Sequence, residues 1–266
     1  MTHTLPDGQT LYYEIHGPEA ATQTLLFLNG LSQSTLAWAG LMPLAQQYRL
    51  VLADVVGQGQ SPAAKEPRSF EEHAADVADL LQKLNFGKVT VIGLSYGGAV
   101  SLRLLAKHQQ LLKGGILLSA FGNKNAYFNA LGESWVSALQ CGGYALMLDV
   151  MLPIVLGKSY FEKPLIAINL LKNSKAGQSP SPENLMKLMH ATHSSGNFLP
   201  ELNRVQVPVL IMHGEEDTLC TPEMGQDMHR AIANSQLQIL PKVGHTLNLE
   251  AIPQITQAIK DFVNRL

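Results

Sequence analysis

Short, continuous apolar runs recur along the chain and alternate with helical patterns. The runs occupy residues 25–28, 50–53, 89–92, 116–118, 207–212 and 237–240. Between them, apolar residues recur with the spacing of one helix face, most clearly after Ser69 and Glu72, which have the spacing of a capping box. Apolar strands that alternate with helices are typical of a parallel sheet covered on both faces. We therefore predict an α/β fold with a mostly parallel central sheet flanked by helices.

The alternation stops between residues 121 and 200. This stretch is helical in pattern, ends at Pro200 and holds eight of the 17 aromatic residues of the chain. We interpret it as a helical cap inserted into a core domain, which residues 1–120 and 201–266 would form together. Its apolar composition favours an apolar pocket beneath the cap.

Composition narrows the function classes. The chain has 266 residues, 46% of them hydrophobic, and a net charge of −2, as expected for a globular protein. The small charge argues against a nucleic-acid partner, because phosphate binding needs a surplus of basic residues. Two cysteines cannot form a disulfide framework, and the N-terminus has no cationic start followed by an apolar segment. The most apolar stretch, residues 141–157, is interrupted by Asp149 and Pro153, so we expect no membrane span and a cytoplasmic location.

The segment from Gly93 to Gly98 reads Gly-Leu-Ser-Tyr-Gly-Gly and contains a G-x-S-x-G motif between an apolar strand and an amphipathic helix. In this context the motif predicts a sharp turn that lifts Ser95 out of the sheet as a nucleophile. The glycines are needed because Cβ atoms at a turn this tight would clash. The helix that follows would direct free N–H groups at the reacting carbonyl.

These motifs resemble those of the α/β-hydrolase fold, in the serine hydrolase and carboxylesterase branch with a helical cap. The likeness covers essentially the whole chain and includes residues 28–31, 54–61, 93–98, 213–217 and 244–245 in the family's order. The resemblance implies a catalytic triad in the order Ser, acid, His. It places the base at His245, after the last predicted strand, and selects Asp217 from the acidic run at 215–217 as the residue that orients His245.

The resemblance also implies an oxyanion hole formed by the backbone N–H groups of Tyr96 and Leu31. Many relatives have His-Gly where this chain has Asn29 and Gly30. Asn29 tolerates left-handed backbone angles and can hold the loop through local hydrogen bonds. For the substrate pocket we predict Asn29 together with Trp135, Met147 and Met151.

The function predicted from these residues is hydrolysis of a small-molecule ester with an apolar acyl or aryl group, without a cofactor or a metal. Pro62 stands where a dinucleotide fingerprint would need its third glycine, and His190 with His193 has no evident third metal ligand. Acyl transfer of the 3-hydroxyacyl type, lactone hydrolysis, carbon–carbon bond hydrolysis, perhydrolysis and non-catalytic ligand binding remain open on the same fold. The sequence does not define the oligomeric state.

Overall fold

The computed structural model describes residues 1–176 and 181–266, which contain an eight-stranded sheet in the order β1-β2-β4-β3-β5-β6-β7-β8. The strands are β1 (Thr2–Thr4), β2 (Thr10–His16), β3 (Thr24–Leu28), β4 (Arg49–Asp54), β5 (Val89–Leu94), β6 (Leu112–Leu118), β7 (Val209–Gly214) and β8 (Ser235–Leu240). β1 and β2 form an antiparallel hairpin, β2 pairs antiparallel with β4, and all other neighbouring pairs are parallel. The prediction of a mostly parallel sheet flanked by helices is confirmed.

Helices cover both faces of this sheet. They are α1 (Phe70–Leu84), α2 (Tyr96–Lys107), α3 (Ala126–Val155), α4 (Lys158–Glu162), α5 (Ile168–Ala176), α6 (Pro182–Ser194), α7 (Pro222–Ala231), α8 (Leu247–Glu250) and α9 (Ile252–Val263). Short 3₁₀ segments occupy Thr35–Gln46, Gln109–Leu111 and Leu199–Arg204. One hydrophobic cluster includes residues of α1, α2 and α3, and a second, on the opposite face, includes residues of the first 3₁₀ segment and α9.

Local sequence explains where several elements begin and end. Ser69 and Glu72 form the capping box that starts α1, and Asn85 ends that helix in the left-handed conformation. The central strands β3, β5 and β7 are buried along their whole length, because helices cover both of their faces. β8 lies at the sheet edge and is more exposed than its apolar pattern indicates.

The helices between β6 and β7, α3 to α6, form what we call the insertion. The chain is helical in this stretch, as predicted; the cap boundaries at 121 and 200 stay a prediction, and residues 177–180 lie outside the described residues. α3 was not predicted as one element, and Gly143 interrupts it with φ 67° and ψ −165°, which marks a kink between two helical halves.

Among the described residues, α3 is the one helix long and apolar enough to cross a membrane by length and composition. Its most apolar window has a mean hydropathy of 1.5, and 44% of that window is buried inside the protein. Its buried residues, Met147 and Leu148 among them, belong to the same hydrophobic cluster as α1 and α2. This is weak evidence for a membrane span, because long core helices pass the same test.

Candidate active site

Ser95 occupies the sharp turn between β5 and α2. Its backbone is strained, with φ 52° and ψ −108°, and its N–H donates to Leu118 O at the end of β6 (2.9 Å). Glycine is required on both sides of the turn: a Cβ on Gly93 would lie 2.2 Å from Ser101 Oγ, and one on Gly97 would lie 2.2 Å from Leu28 O. The turn therefore places Ser95 at the carboxyl end of the sheet, as the motif predicted.

His245 and Asp217 meet beside this turn. His245 follows β8 and Asp217 follows β7, and His245 Nδ1 lies 2.9 Å from Asp217 Oδ2. The other carboxylate oxygen of Asp217 accepts the backbone N–H groups of Leu219 (3.0 Å) and Cys220 (2.9 Å). The side chain of Asp217 is fully buried. A carboxylate held in this way fixes the tautomer of the imidazole and leaves Nε2 free to take a proton.

The loop that carries His245 is attached to the insertion through Glu250. One oxygen of the Glu250 carboxylate accepts the N–H groups of Gly244 (2.8 Å) and Gly157 (3.0 Å), and the other accepts that of Thr246 (3.0 Å). Burial raises the pKa of Glu250, although these hydrogen bonds oppose the shift. His245 N–H also donates to Val155 O at the end of α3 (3.1 Å).

Gly157 lies between this loop and a second carboxylate. Glu216 accepts hydrogen bonds from the Ser159 N–H (2.9 Å) and hydroxyl (2.8 Å) at the start of α4. A Cβ on Gly157 would lie 2.7 Å from Glu216 Oε2 and 2.8 Å from Gly244 N, so the backbones approach too closely for a larger residue. The two carboxylates thus join the insertion to the loops that carry Asp217 and His245.

Two backbone N–H groups beside Ser95 are available to a ligand. In the described part of the chain, neither Leu31 N–H nor Tyr96 N–H donates to a protein acceptor. Both residues line the cavity next to Ser95. The loop of Leu31 is tied to the elbow, since Gly97 N–H donates to Asn29 O at 2.9 Å. This arrangement can stabilise an oxyanion.

Two cavities meet at Ser95. The large cavity, of about 530 Å³, extends between α3 and α6, and the small one, of about 40 Å³, includes His245. Both are lined by Leu31, Ser95, Trp135 and Leu219. The wall of the large cavity is mainly apolar and includes Phe121, Phe128, Met186 and Met189. Its far end is formed by exposed polar residues, namely Asn129, Glu133, His190 and His193.

The predicted pocket residues are not all at these cavities. Trp135 lines both cavities and Met151 lines the small one. Met147 is fully buried and lines neither. Asn29 is also absent from both linings: its amide donates to Asp54 Oδ1 (2.7 Å) and accepts from Trp38 Nε1 (2.7 Å). Asn29 thus lies behind the loop that it was predicted to hold, rather than in the lining of either cavity.

Two further titratable side chains are buried beside Asp217. His213 lies in β7, and its Nδ1 is 3.0 Å from Cys220 O. Burial lowers the pKa of His213 and raises that of the Cys220 thiol. Neither group is therefore a nucleophile or a charged base at neutral pH. Within the described residues, no group of three or more His, Cys, Asp or Glu side chains could hold a metal ion.

Sequence reasoning missed Glu250, and in the acidic run at 215–217 it assigned a role to Asp217 alone and none to Glu216. Both carboxylates bind groups of the insertion that are distant in sequence: Glu216 accepts from Ser159, 57 residues away, and Glu250 accepts from Gly157, 93 residues away. The only signal in the sequence is local: an acidic residue ends the short helix that directly follows His245.

Comparisons with known proteins agree with this architecture. The family model described as the α/β hydrolase fold matches residues 23–140. A Bacillus subtilis protein named as an uncharacterized hydrolase is 26% identical over 274 residues, covering 97% of this chain and 95% of that relative.

Two solved structures match almost the full chain, each with a TM-score of 0.88. One is an enol-lactonase from Burkholderia xenovorans, 22% identical, with 99% of this chain and 100% of the other covered. The other is a thermophilic esterase from Thermogutta terrifontis, 23% identical, with coverage of 100% and 98%. At these identities the structural matches show the fold alone. The family model, the relative and the solved structures thus agree on one conclusion: the chain has the α/β-hydrolase fold.

Proposed function

We propose that the protein is a serine hydrolase that cleaves carboxylic esters with an apolar acyl group. The observation that carries the proposal is that Ser95 and His245 line the same small cavity while Asp217 holds His245 through Nδ1. The apolar wall of the adjoining large cavity supports the preference for an apolar acyl group.

In the proposed mechanism, Ser95 Oγ attacks the ester carbonyl while His245 Nε2 takes the serine proton. The N–H groups of Leu31 and Tyr96 hold the oxyanion, and Asp217 stabilises the imidazolium. His245 then gives the proton to the alcohol oxygen as its bond to the acyl carbon breaks. Water attacks the acyl-enzyme, with His245 again as the base, and releases the acid and the free serine.

Single substitutions test the three proposed catalytic groups. Ser95→Ala, His245→Ala and Asp217→Asn should each lower kcat for methyl hexanoate, followed by acid release in a pH-stat, by at least about 10⁴-fold. A fluorophosphonate probe should label the wild type at Ser95 and leave Ser95→Ala unlabelled. Full ester hydrolysis by Ser95→Ala would disprove the mechanism, and a wild type that binds ester but neither hydrolyses it nor reacts with the probe would be a ligand receptor instead.

Product analysis separates hydrolysis from acyl transfer. With methyl hexanoate and a competing alcohol or thiol acceptor, hexanoic acid should remain the main product because water reaches the acyl-enzyme. Mass spectrometry that found mostly the transferred acyl group would reassign the same triad to an acyltransferase.

A further inference from the structure

The two cavities at Ser95 differ in size and in the groups that they reach. Among the described residues, His245 lines the small cavity of about 40 Å³ and is absent from the lining of the large cavity of about 530 Å³. Leu31, which supplies one of the free N–H groups, lines both cavities. The carbonyl of a bound ester would therefore lie at the junction, with its two halves in different cavities.

The chemistry decides which half lies on which side. The proton that His245 receives from Ser95 must reach the oxygen of the leaving alcohol, so this oxygen has to lie beside His245. The water of the second step must also lie beside His245, because the same nitrogen takes its proton. Both the alcohol and the water therefore use the small cavity in turn, and the acyl chain has to occupy the large one.

The size of the small cavity limits the alcohol. A cavity needs about 10–15 Å³ to hold one water, so a volume of about 40 Å³ admits a water or a short alcohol such as methanol. Two buried side chains of α3 form part of its wall: Met151 and Val155, each less than a tenth exposed. The large cavity continues to exposed residues of α3 and α6, including Glu133 and His190.

We propose that the substrates are esters of a short alcohol, such as methyl esters, with a large and mainly apolar carboxylic acid. This inference rests on the proposed function and adds the orientation in which the ester binds. Ser95 Oγ bonds to the acyl carbon and the bond from that carbon to the short alcohol breaks, with the serine proton passing through His245 to the alcohol. Water then replaces the alcohol in the small cavity, gives its proton through His245 back to Ser95, and releases the large acid.

Two isomeric esters test the orientation. Methyl hexanoate and pentyl acetate have the same atoms and similar polarity, but the long chain is on the acyl side in the first and on the alcohol side in the second. We expect kcat/KM for methyl hexanoate to exceed that for pentyl acetate by at least about tenfold, the discrimination typical of a poorly fitting apolar group. Equal rates, or faster hydrolysis of pentyl acetate, would overturn the proposal.

Matched methionine substitutions identify the cavity responsible. Met151 lines only the small cavity and Met189 only the large one. Met151→Ala should lower the preference for methyl hexanoate over pentyl acetate by about tenfold, because it makes room for a longer alcohol. Met189→Ala enlarges only the large cavity and should not raise kcat/KM for pentyl acetate, whereas Met151→Ala should raise it. The opposite pattern would assign the alcohol to the large cavity and overturn the proposal.

Two controls keep the test decisive. Val155→Ala enlarges the same small cavity by less and serves if Met151→Ala does not fold; the backbone oxygen of Val155, which accepts from His245, is retained. Ser95→Ala must lose both activities. If both esters are hydrolysed through Ser95 without the expected preference, the orientation is wrong but the proposed function stands; if neither is hydrolysed, the proposed function itself fails.

Discussion

Asn29 holds the loop of the candidate oxyanion hole through its side chain. It is 1% exposed, its amide nitrogen donates to Asp54 Oδ1 and Ala53 O, and its amide oxygen accepts from Trp38 Nε1. Asp54 in turn accepts the Thr35 N–H (2.8 Å) and Gln60 N–H (2.9 Å), and burial raises its pKa to about 6. One side chain thus links the ends of β3 and β4 directly behind Leu31.

Asn29→Ala should destabilise the protein and slow the reaction. The Trp38 indole N–H would lose its acceptor inside the protein, at a cost of about 1–3 kcal/mol in the free energy of unfolding. Because the loop would also shift, we expect kcat to fall by up to about 100-fold with a smaller change in KM. Urea unfolding and steady-state kinetics measure the two effects. Asn169→Ala, at an exposed position with one local hydrogen bond, is the control; equal behaviour of the two variants would contradict the role of Asn29.

At the scale of single residues, the sequence predicts the residues that belong to a recognisable motif. The apolar pattern predicts the strands that Ser95, Asp217 and His245 follow, and a parallel sheet brings the carboxyl ends of such strands to one edge. Asn29 and Met147 were placed by nearness in sequence to the site or by composition, which do not define the direction of a side chain. Such directions depend on packing between distant segments.

Glu250, the last residue of α8, binds both the loop that carries His245 and the segment that follows α3. Its carboxylate accepts three backbone N–H groups, from Gly157, Gly244 and Thr246, so two of its bonds flank His245. Glu250→Gln can keep two of these bonds, because an amide has one acceptor oxygen, and it presents an NH₂ group to the third N–H. The expected result is a loose loop around a chemically intact His245.

Glu250→Gln should therefore lower kcat by about tenfold and slow fluorophosphonate labelling of Ser95, with little change in KM, since misplacement of a base slows chemistry more than binding. Glu216→Gln is the matched control: that carboxylate also bonds to the insertion, at Ser159, but its side chain makes no hydrogen bond to the His245 loop. Equal kcat losses in the two variants would show that Glu250 acts only through attachment of the insertion.

The elements themselves were largely predictable. Buried strands and amphipathic helices carry their periodicity in the sequence, and the capping box of α1 marks its start. The 3₁₀ segment Thr35–Gln46 was missed because it contains Pro43 and no regular α-helical spacing of apolar residues. The kink of α3 at Gly143 was missed because the residues on both sides are helical in pattern, and only the structure shows the positive φ.

At the scale of the whole molecule, stability depends on a group of buried charged side chains that includes none of the proposed catalytic residues. Arg68 is 8% exposed and bonds to Asp7 and to Asp76 Oδ1, the latter at 3.1 Å. The second carboxylate oxygen of Asp76 has no partner among the described residues. Burial raises the pKa of Asp76 from 3.8 to about 7, although Arg68 opposes the shift.

This shift predicts that Asp76 destabilises the folded protein as the pH rises. Below about pH 4 the Asp76 carboxyl is protonated in both the folded and the unfolded state. Between about pH 4 and 7 the folded state keeps a proton that the unfolded state has lost, so the free energy of unfolding falls as the pH rises through this window. Above about pH 7 the carboxyl is ionised in both states, and its contribution no longer changes with pH.

Asp76→Asn removes this titration. Relative to wild type, the variant should gain up to about 1.4 kcal/mol for each pH unit between pH 4 and 7, measured by urea unfolding. A wild-type minus Asp76→Asn difference that does not fall with pH would mean that Arg68 keeps Asp76 ionised in the folded protein.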